Sequence, residues 1–408
     1  MFETPNIRHL RVFLAVVEAK SISQASGKVF LSQPAITQAI AKLELSFKTS
    51  LFQRRSDGMF TTTTGISLAY RLQRAMQMIL DGIKGALRYS SDKSTAKPSY
   101  LLSQISTTQL NALISVSEAQ TFSMASRNRG VSQSSLYRAA RDLENLIGVK
   151  LFEKTSTGIS SSKAARTLTQ ATKLAFSEIV QAYDEIQALQ NNDIGHMTIG
   201  SMPLARSSVL PKAIIEFSKL FPDVKLSITD GSYNDLLYHL RHGNIDLLIG
   251  ALRLPAPSDD ITQEELFSSS VKIIARPEHP LCKETAVTAD QLACYSWVVP
   301  QPGTPTRNIF ESLFQSVNQT LPEQLIETGS QALILSLLRD SDRLSIISEH
   351  QVQHELKIQA LSTIPYNQNS TTRPIGITTR KSWKPTKTQQ SFINLLREQS
   401  SSFKHNGA

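Results

Sequence analysis

The sequence predicts a multidomain protein in which two copies of a small, mainly helical unit precede a larger α/β region. The first observation is an internal repeat, because residues 10–58 align without gaps with residues 110–158 and 16 of the 49 pairs are identical. Ordinary residue usage would give about one identical pair in 17. The others are an uneven charge distribution and a strand–helix alternation after residue 196. A unit that occurs twice indicates a function used, or once used, twice.

The net charge of +9 lies in the repeat half of the 408-residue chain. Residues 1–195 carry 23 Lys and Arg against 14 Asp and Glu, whereas residues 196–408 carry 20 of each. A basic half joined to a neutral half indicates one part that binds a polyanion and a second part with another task. Charge alone leaves a merely solvated basic surface as the alternative.

Cysteine usage and hydropathy predict a cytoplasmic protein. Cys282 and Cys294 are the only cysteines, which excludes a disulfide framework and is typical of a reducing compartment. No apolar run reaches the ~18–20 residues of a membrane span. The first ten residues lack the basic-then-apolar pattern of a signal peptide.

Each repeat predicts three short helices, a wing and a long helix. In the first repeat, apolar residues recur at helical spacing from Leu10 to Val17. Ser23 is expected to cap a second helix that ends near Phe30, and Ser32 to cap a third helix with Pro34 in its first turn. A wing strand is expected from Leu51, followed by a long helix over about 66–87 and a polar linker. The second repeat retraces this order, with its long helix over about 163–190.

The third helix of each repeat carries the side chains that a DNA-reading helix needs at its N-terminus. Glutamine amides can contact base edges, threonine can contact a thymine methyl group or a phosphate, and basic flanks can contact phosphates. Helix-turn-helix units dock on DNA in this way. The candidates in the first repeat are Ser32, Gln33, Pro34, Thr37, Gln38, Lys42, Arg54 and Arg55. Those in the second are Ser132, Gln133, Ser135, Tyr137, Arg138, Arg141 and Lys154. A helical bundle with a polar face is the alternative interpretation.

The region after residue 196 predicts parallel β/α units. Candidate strands at 197–200, 224–228 and 245–249 alternate with candidate helices at 209–220 and 236–242. Further strands are expected at 271–275, 297–299, 344–347 and 375–378, and a C-terminal helix at about 388–397. The histidines and cysteines show no metal-ligand spacing, and neither a phosphate loop nor a nucleophile elbow occurs, so we expect no metal, no cofactor and no enzyme activity.

The N-terminal half carries the motifs Ala25-Ser26, Ser32-Gln33-Pro34-Ala35, Leu43-Glu44 and Leu51-Phe52-Gln53-Arg54. In these motifs the chain resembles the LysR-type transcriptional regulators. The C-terminal half matches the family's effector domain at Ile199-Gly200, Leu210-Pro211, Phe221-Pro222-Asp223-Val224, Gly243-Asn244-Ile245-Asp246-Leu247, His279-Pro280-Leu281 and Arg373-Pro374. The chain departs from the family in one feature, because the family normally has a single winged helix-turn-helix and this chain has two.

The resemblance implies two all-α winged helix-turn-helix domains with long linker helices, followed by a two-lobed α/β periplasmic-binding-protein-like (type 2) effector domain. The expected boundaries are 1–65 and 106–162 for the winged units, 66–89 and 163–192 for the linker helices, 90–105 for a polar linker and 195–400 for the effector domain. Within that domain the first lobe comprises about 196–270 and 371–400, and the second about 271–370.

The resemblance also implies partners and an effector cleft. The expected partners are double-stranded promoter DNA, a small-molecule effector such as an organic acid or a sugar-like metabolite, and a second copy of the chain, with RNA polymerase a further candidate. By motif position the cleft includes Met202, Leu204, Arg206, Ser232, Pro300, Thr304 and Arg307. Arg206 and Arg307 are the cations expected to reach a carboxylate, and a surface or salt-bridged position is the alternative for each.

The two repeats depart differently from the family pattern. Lys48 replaces a helix-closing glycine that the second repeat keeps as Gly148, so that turn is expected to differ in shape. The second repeat has Ser134 in place of proline, and Arg129 where the first repeat has Val29, so Arg129 is expected to face solvent or DNA, or its helix to be displaced. The first repeat is therefore the better candidate DNA reader.

Several alternatives remain open from the sequence. The two linker helices either pair with each other in one chain, forming a pseudo-dimer, or each pairs with its twin in a second chain. A second repeat that serves only in dimerisation or protein contact is an alternative within the family. A solute-binding protein and an enzyme on the two-lobed scaffold are the alternatives outside it.

Overall fold

The computed structural model describes residues 2–56, 58–90, 97–119, 121–156, 158–367 and 372–404. The chain forms two compact units, which are described separately. The N-terminal unit comprises residues 1–196 with 242–244, and the C-terminal unit comprises residues 197–241 and 245–408.

The N-terminal unit contains the same series of elements twice. The first repeat forms α1 (Ile7–Ala19), α2 (Ile22–Val29), α3 (Gln33–Phe47), the hairpin of β1 (Phe52–Arg55) and β2 (Gly58–Thr61), and the long helix α4 (Thr63–Leu87). After α5 (Pro98–Gln104), the second forms α6 (Thr107–Ala119), α7 (Phe122–Arg129), α8 (Gln133–Ile147), the hairpin of β3 (Phe152–Thr155) and β4 (Gly158–Ser161), and the long helix α9 (Lys163–Leu189).

The capping residues correct parts of the sequence analysis. Ser21, not Ser23, begins the second helix, where its hydroxyl accepts from the Gln24 amide. Ser32 stands at the N-cap of α3 but makes no side-chain capping bond, whereas Ser132 caps α8 by accepting from the Ser135 amide at 3.2 Å. The long helix α4 begins at Thr63, three residues before the expected start.

The polar linker predicted over 90–105 is partly helical. Its residues 91–96 lie outside the described residues. The rest includes α5, where Pro98 stands in the first turn and Leu101 is buried against the neighbouring helices. Proline at this position costs no hydrogen bond, because the first amides of a helix have no partner within it. The few apolar residues here, such as Leu101 and Leu102, form too short a run to show a helical periodicity.

The departures from the family pattern do not displace the second or third helices. Lys48 takes the left-handed conformation, with φ 54° and ψ 37°, and closes α3 as Gly148 closes α8 with φ 71° and ψ 26°. The expectation of a different turn is therefore wrong, and the first repeat holds a non-glycine residue in a strained conformation. Arg129 is exposed, in agreement with one of the two expectations for it.

The long helices α4 and α9 pack on each other in an antiparallel arrangement. Arg71, near the start of α4, contacts Glu178 and Glu185 toward the end of α9, whereas Gly82 near the end of α4 meets Ala171 near the start of α9. Buried apolar side chains of both repeats form one continuous hydrophobic core around this pair. The two repeats are thus parts of a single folded body.

The C-terminal unit alternates strands and helices. Its first part forms β5 (Gly195–Ser201), α10 (Pro203–Ser207), α11 (Val209–Leu220), β6 (Val224–Asp230), α12 (Tyr233–Arg241), β7 (Leu247–Ala251) and β8 (Ile261–Ser269). Its second part forms β9 (Val271–Ala275), α13 (Ala289–Ala293), β10 (Trp297–Val299), α14 (Pro305–Gln315), β11 (Leu325–Glu327), α15 (Gln331–Arg339), β12 (Leu344–Ser348), α16 (Gln353–Lys357) and β13 (Ser362–Thr363). The chain then forms β14 (Arg373–Arg380) and α17 (Lys387–Lys404).

Two five-stranded sheets divide the C-terminal unit into two lobes. The first sheet has the order β6-β5-β7-β14-β8 and the second the order β11-β10-β12-β9-β13. Strand β14 returns to the first sheet and pairs antiparallel with β7 and β8. Parallel pairs such as β5 with β7 bring the carboxyl ends of strands to one edge, where open α/β sheets bind ligands.

Candidate nucleic-acid interface and effector cleft

The N-terminal part of α3 presents a polar, exposed surface. Its buried residues Ile36, Ala39, Ile40 and Leu43 hold the opposite face in the core. The Thr37 hydroxyl donates to the Gln33 carbonyl at 3.0 Å, which leaves its methyl group and an acceptor oxygen available. The predicted residues that lie exposed here are Ser32, Gln33, Pro34, Thr37, Gln38 and Lys42.

Helix α8 presents the corresponding surface with different chemistry. Tyr137 and Arg138 replace Thr37 and Gln38, and both are exposed together with Ser132, Gln133 and Ser135. Within the described residues Arg138 has no ion-pair partner, so its guanidinium is available to an external acceptor.

Arg141 is less available than expected. It forms an ion pair with the buried Glu144, its Nε donates to the Tyr137 hydroxyl at 3.2 Å, and its guanidinium lies 5.3 Å from the centre of that ring. The ring of Phe122 packs edge-on against Tyr137 at 5.1 Å. These contacts give Arg141 a structural role that its position in the sequence did not indicate.

The same hydrogen bond connects the third helix to the wing in both repeats. The Glu44 carboxylate accepts from the Leu51 amide at 2.8 Å, and Glu144 accepts from the Leu151 amide at the same distance. Arg55 and Lys154 lie exposed on the two hairpins, while the side chain of Arg54 lies outside the described residues. In each repeat a helix with an exposed N-terminal half is therefore fixed beside a basic wing.

The C-terminal unit encloses a cleft of about 580 Å³. Six of the seven predicted cleft residues line it: Met202, Leu204, Arg206, Ser232, Pro300 and Thr304. Ser232 and Thr304 stand at the starts of α12 and α14, so the amide ends of two helices face the same cavity. Ile334, Ile346 and Ile347 add an apolar wall.

Neither arginine chosen from the sequence is a free cation. Arg206 lines the cleft but forms an ion pair with Asp230. Arg307 is buried, is not among the lining residues, and pairs with Glu311 and Glu327 at 2.7 Å each. Burial lowers the pKa of the Arg307 guanidinium, but the bonds to its two carboxylates outweigh that effect and hold the pKa above its usual value. The structure thus places Arg307 in the salt-bridged position that the sequence analysis gave as the alternative.

The cleft has two other arginines, Arg253 and Arg373, which sequence reasoning did not select. Within the described residues neither has a carboxylate partner, and each has a buried guanidinium nitrogen without a hydrogen-bond acceptor, Nη1 in Arg253 and Nε in Arg373. Burial, together with the charge of Arg253, lowers the pKa of Arg373 to about 10. Both cations stay protonated at neutral pH, so the cleft carries an uncompensated positive charge.

The surrounding contacts fix both arginines in place. The Arg253 amide donates to the Gln263 side chain at 3.0 Å, and its guanidinium lies 4.5 Å from the centre of the Tyr233 ring, whose buried hydroxyl also has no partner among the described residues. Arg373, on β14 of the first lobe, donates to the hydroxyls of Thr306 and Ser348 in the second. One signal was available in the sequence, because Arg253 lies two residues after the end of the buried strand β7, at the edge where ligands bind.

Other kinds of site find no support in the part of the chain that the structure describes. No group of three or more histidine, cysteine, aspartate or glutamate side chains there could hold a metal ion. Of the described helices, none has both the length and the apolar character of a membrane span.

Comparison with known proteins divides the chain into an N-terminal and a C-terminal part, as the structure does. Residues 190–401 match the family model described as the LysR substrate binding domain. The model described as the bacterial regulatory helix-turn-helix protein, lysR family, matches twice, at residues 7–66 and 107–168.

Individual relatives cover much of the chain. HTH-type transcriptional regulator GalR of Pseudomonas putida is 31% identical over 378 residues, which is 93% of each chain. The Uncharacterized HTH-type transcriptional regulator YdcI of Escherichia coli is 28% identical and aligns over 98% of its own length but 74% of this chain. The crystal structure of full-length CbnR complexed with its target DNA has the same fold, with a TM-score of 0.50 and 17% identity over 71% of this chain and 98% of that one.

Two helix-turn-helix segments of one family precede a substrate-binding domain of the same family, and a relative 31% identical spans nearly the whole length. The relatives are transcriptional regulators, and the C-terminal unit has the two-lobed α/β fold of their effector-binding domains. The chain belongs to the LysR family of DNA-binding transcriptional regulators.

Proposed function

We propose that this regulator binds promoter DNA through both of its winged helix-turn-helix units and senses a small organic anion in its C-terminal cleft. It acts in the cytoplasm, and effector binding changes the geometry of the bound promoter or a contact with RNA polymerase. A ligand can do this only through different affinities for two states of the protein.

The exposed N-terminal halves of α3 and α8 support DNA reading by both repeats. Gln33 and Gln133 occupy the same position on the two helices, and glutamine amides recognise adenine edges in the major groove. The net charge of residues 1–195 supplies the phosphate attraction that dominates affinity. Contacts of Tyr137 and Arg141 within the second repeat favour the alternative, in which that repeat is a protein-contact module.

A footprint on the DNA upstream of the gene tests DNA reading. With Gln33→Ala and Gln133→Ala made singly, we expect each change to erase a different part of the footprint. A footprint altered by Gln33→Ala alone would assign the second repeat to dimerisation or protein contact. Absence of any footprint at low salt, with candidate effectors present, would contradict the proposed function.

The single observation that supports an anionic effector is the pair of uncompensated arginines in the cleft. Arg253 and Arg373 have unpaired donors, and the helix ends at Ser232 and Thr304 add amide dipoles that favour negative charge. The apolar wall formed by three isoleucines suits a hydrocarbon body. Of the two expected effector classes, these features favour an organic acid over a sugar-like metabolite.

Arg373 also provides a link between ligand and conformation. Its guanidinium already joins β14 of the first lobe to Thr306 and Ser348 of the second. A carboxylate that accepts from its free Nε would interact with a side chain that already connects the first lobe to the second. Binding would thus change the relative stability of lobe arrangements.

Calorimetric titration of the full-length protein with mono- and dicarboxylates and with neutral sugars tests the effector class. We expect carboxylates to bind, and Arg253→Gln or Arg373→Gln to weaken binding about 10-fold or more, since each removes a charged hydrogen bond. Arg206→Gln is the matched control, because that arginine lines the same cavity but is already paired. Tight binding of a neutral sugar, insensitive to both variants, would contradict the proposal.

A further inference from the structure

The paired long helices are chemically unlike at their two ends. A symmetric pair would repeat every contact after a shift of one hundred residues, so the Arg71–Glu178 and Arg71–Glu185 contacts would recur between residue 171 and residues 78 and 85. Those positions hold Ala171, Met78 and Gly85. One end of the α4–α9 pair is therefore charged, and the other is small and apolar.

The charged end is buried and fully connected. Arg71, only 1% exposed, donates to Glu178 and Gln181 at 2.9 Å each and to Glu185 at 3.1 Å. Arg74 donates to the second oxygen of Glu178 at 2.8 Å. The carboxylates on α9 thus depend on arginines that only α4 supplies.

The other end depends on small residues. A Cβ atom at Gly82 would lie 2.5 Å from the Ala171 Cβ, and one at Gly85 would lie 2.7 Å from Thr167 Cγ2. The helices approach closely here, which no side chain at Gly82 would allow. Their counterparts on α9 are Ala182 and Glu185, so two copies of α9 could not pack in this way.

If each long helix paired with the same helix of a second chain, the contacts at both ends of the pair would be lost. Two copies of α4 in the same register would place Arg71 opposite Met78 and Gly85, and two copies of α9 would place Glu178 and Glu185 opposite Ala171. Buried charges would lose their partners, which is strongly unfavourable. The sequence therefore specifies the unlike pair, α4 with α9.

The unlike pair also fixes the two third helices in one body. On α9, Gln187 donates to the Phe47 carbonyl at 3.2 Å, and Gln190, directly after α9, donates to the Lys48 carbonyl at 3.3 Å. The end of α3 therefore contacts the end of the other repeat's long helix. At the related position the Ser90 hydroxyl lies 3.5 Å from the Gly148 carbonyl at the end of α8. Each reading helix is braced by the opposite repeat.

From this arrangement we infer that the operator is directional, made of two unlike half-sites rather than an inverted repeat. The inference rests on the proposed reading of DNA by both repeats. In symmetric dimers the palindromy of the operator mirrors the twofold symmetry of the protein. Here one body presents Gln33, Thr37 and Gln38 to one half-site and Gln133, Tyr137 and Arg138 to the other.

The side chains predict what differs between the half-sites. Gln38 favours adenine, whereas Arg138, exposed and without an ion-pair partner among the described residues, favours the O6 and N7 acceptors of guanine. We therefore expect a guanine in the half-site of the second repeat at the position where the half-site of the first carries adenine. The Thr37-to-Tyr137 difference adds a second unlike position.

In vitro selection from random duplex DNA with the full-length protein tests the inference. We expect one motif with two unlike halves, and Arg138→Gln should reduce the preference for guanine about fivefold or more in one half only. The reciprocal Gln38→Arg should bring guanine into the other half. Arg339→Gln, which removes an exposed arginine from α15, is the matched charge control and should leave the motif unchanged.

The other outcomes separate the inference from the proposed function. An enriched inverted repeat would overturn the directional operator while leaving DNA binding by both repeats intact. Enrichment of a single half-site, unaffected by Arg138→Gln, would overturn the inference and assign the second repeat another role. If no sequence is enriched over random DNA, the proposed function itself fails.

Discussion

Arg71 and Glu178 form a buried ion pair across the two long helices, with 2.9 Å between Nη1 and Oε2. Burial lowers the pKa of the Arg71 guanidinium, but its bonds to Glu185 and Glu178 raise it above the usual value. The pair joins residues 107 positions apart and lies at the charged end of the contact between α4 and α9.

Two spectroscopic signals separate the two units in unfolding experiments on the full chain. Trp297 and Trp383, the only tryptophans, belong to the C-terminal unit. Tryptophan fluorescence therefore follows that unit, while far-UV circular dichroism follows the helices of both. A transition seen by circular dichroism alone reports on the N-terminal unit.

Loss of Arg71 should destabilise the N-terminal unit. Arg71→Met leaves the buried Glu178 with Arg74 alone and the partly buried Glu185 without a cation, and we expect the free energy of unfolding to fall by about 3 kcal/mol. Lys84→Met, which breaks an exposed pair with Asp81, should cost less than about 1 kcal/mol. Urea denaturation followed by circular dichroism measures both, and equal losses would contradict a special role for the buried pair.

Two glycine-to-alanine changes should have opposite effects. Gly82→Ala places a methyl group against Ala171, and we expect it to destabilise the helix pair by about 1–3 kcal/mol despite the better helix propensity of alanine. Gly27→Ala, in α2 with open space around it, should stabilise the unit by about 0.5–1 kcal/mol. Thermal unfolding followed by circular dichroism decides, and a stabilising Gly82→Ala would show that the helices do not approach closely.

The helix ends at Lys48 and Gly148 offer a reciprocal exchange. Lys48→Gly places glycine where the backbone has a left-handed conformation, and it should raise the free energy of unfolding by about 1 kcal/mol. Gly148→Lys should lower it by a similar amount, since the space around Gly148 is open and only the backbone conformation opposes a side chain. Denaturation without DNA measures the stabilities, and no change in either variant would indicate relaxed turns.

The pH dependence of the C-terminal unit should reflect Asp246. Burial raises the pKa of its carboxyl from 3.8 to about 6, although the Thr198 amide, which donates at 2.8 Å, and Arg380 both lower it. Between these values the folded state holds a proton that the unfolded state has lost, so stability falls as pH rises from about 4 to 6.

Asp246→Asn removes this dependence. We expect the free energy of unfolding of the variant, relative to the unmodified protein, to increase by up to about 3 kcal/mol between pH 4 and pH 7. Urea denaturation followed by tryptophan fluorescence at several pH values measures the difference. A difference that does not vary with pH would mean that the carboxyl titrates normally.

Much of the fold could be predicted because its signals are local. The repeat showed that two like units exist, and buried strands such as Trp297–Val299 and Val271–Ala275 stand at their predicted bounds. Strand β8 was missed, because its sequence carries polar residues such as Gln263 and Glu264 between apolar ends. Its pairing with β14 is a tertiary contact with no signal in local hydropathy.

The cleft was predicted less well, because the availability of a charge depends on pairing in three dimensions. Arg307 and Arg373 are indistinguishable by residue type, yet Glu327 reaches the first and no described carboxylate reaches the second. Sequence motifs locate the wall of a cavity. They do not reveal which cations in it are already neutralised.

The packing of α4 on α9 has a consequence for how the protein behaves at low copy number. In a regulator with one reading unit per chain, the paired form depends on the concentration of chains. Here the two repeats come together as a single polypeptide folds, because they are joined by a short stretch of chain and need no diffusive encounter between two molecules. One newly made molecule therefore already carries α3 and α8 in one folded body, and dilution in the cell cannot separate them.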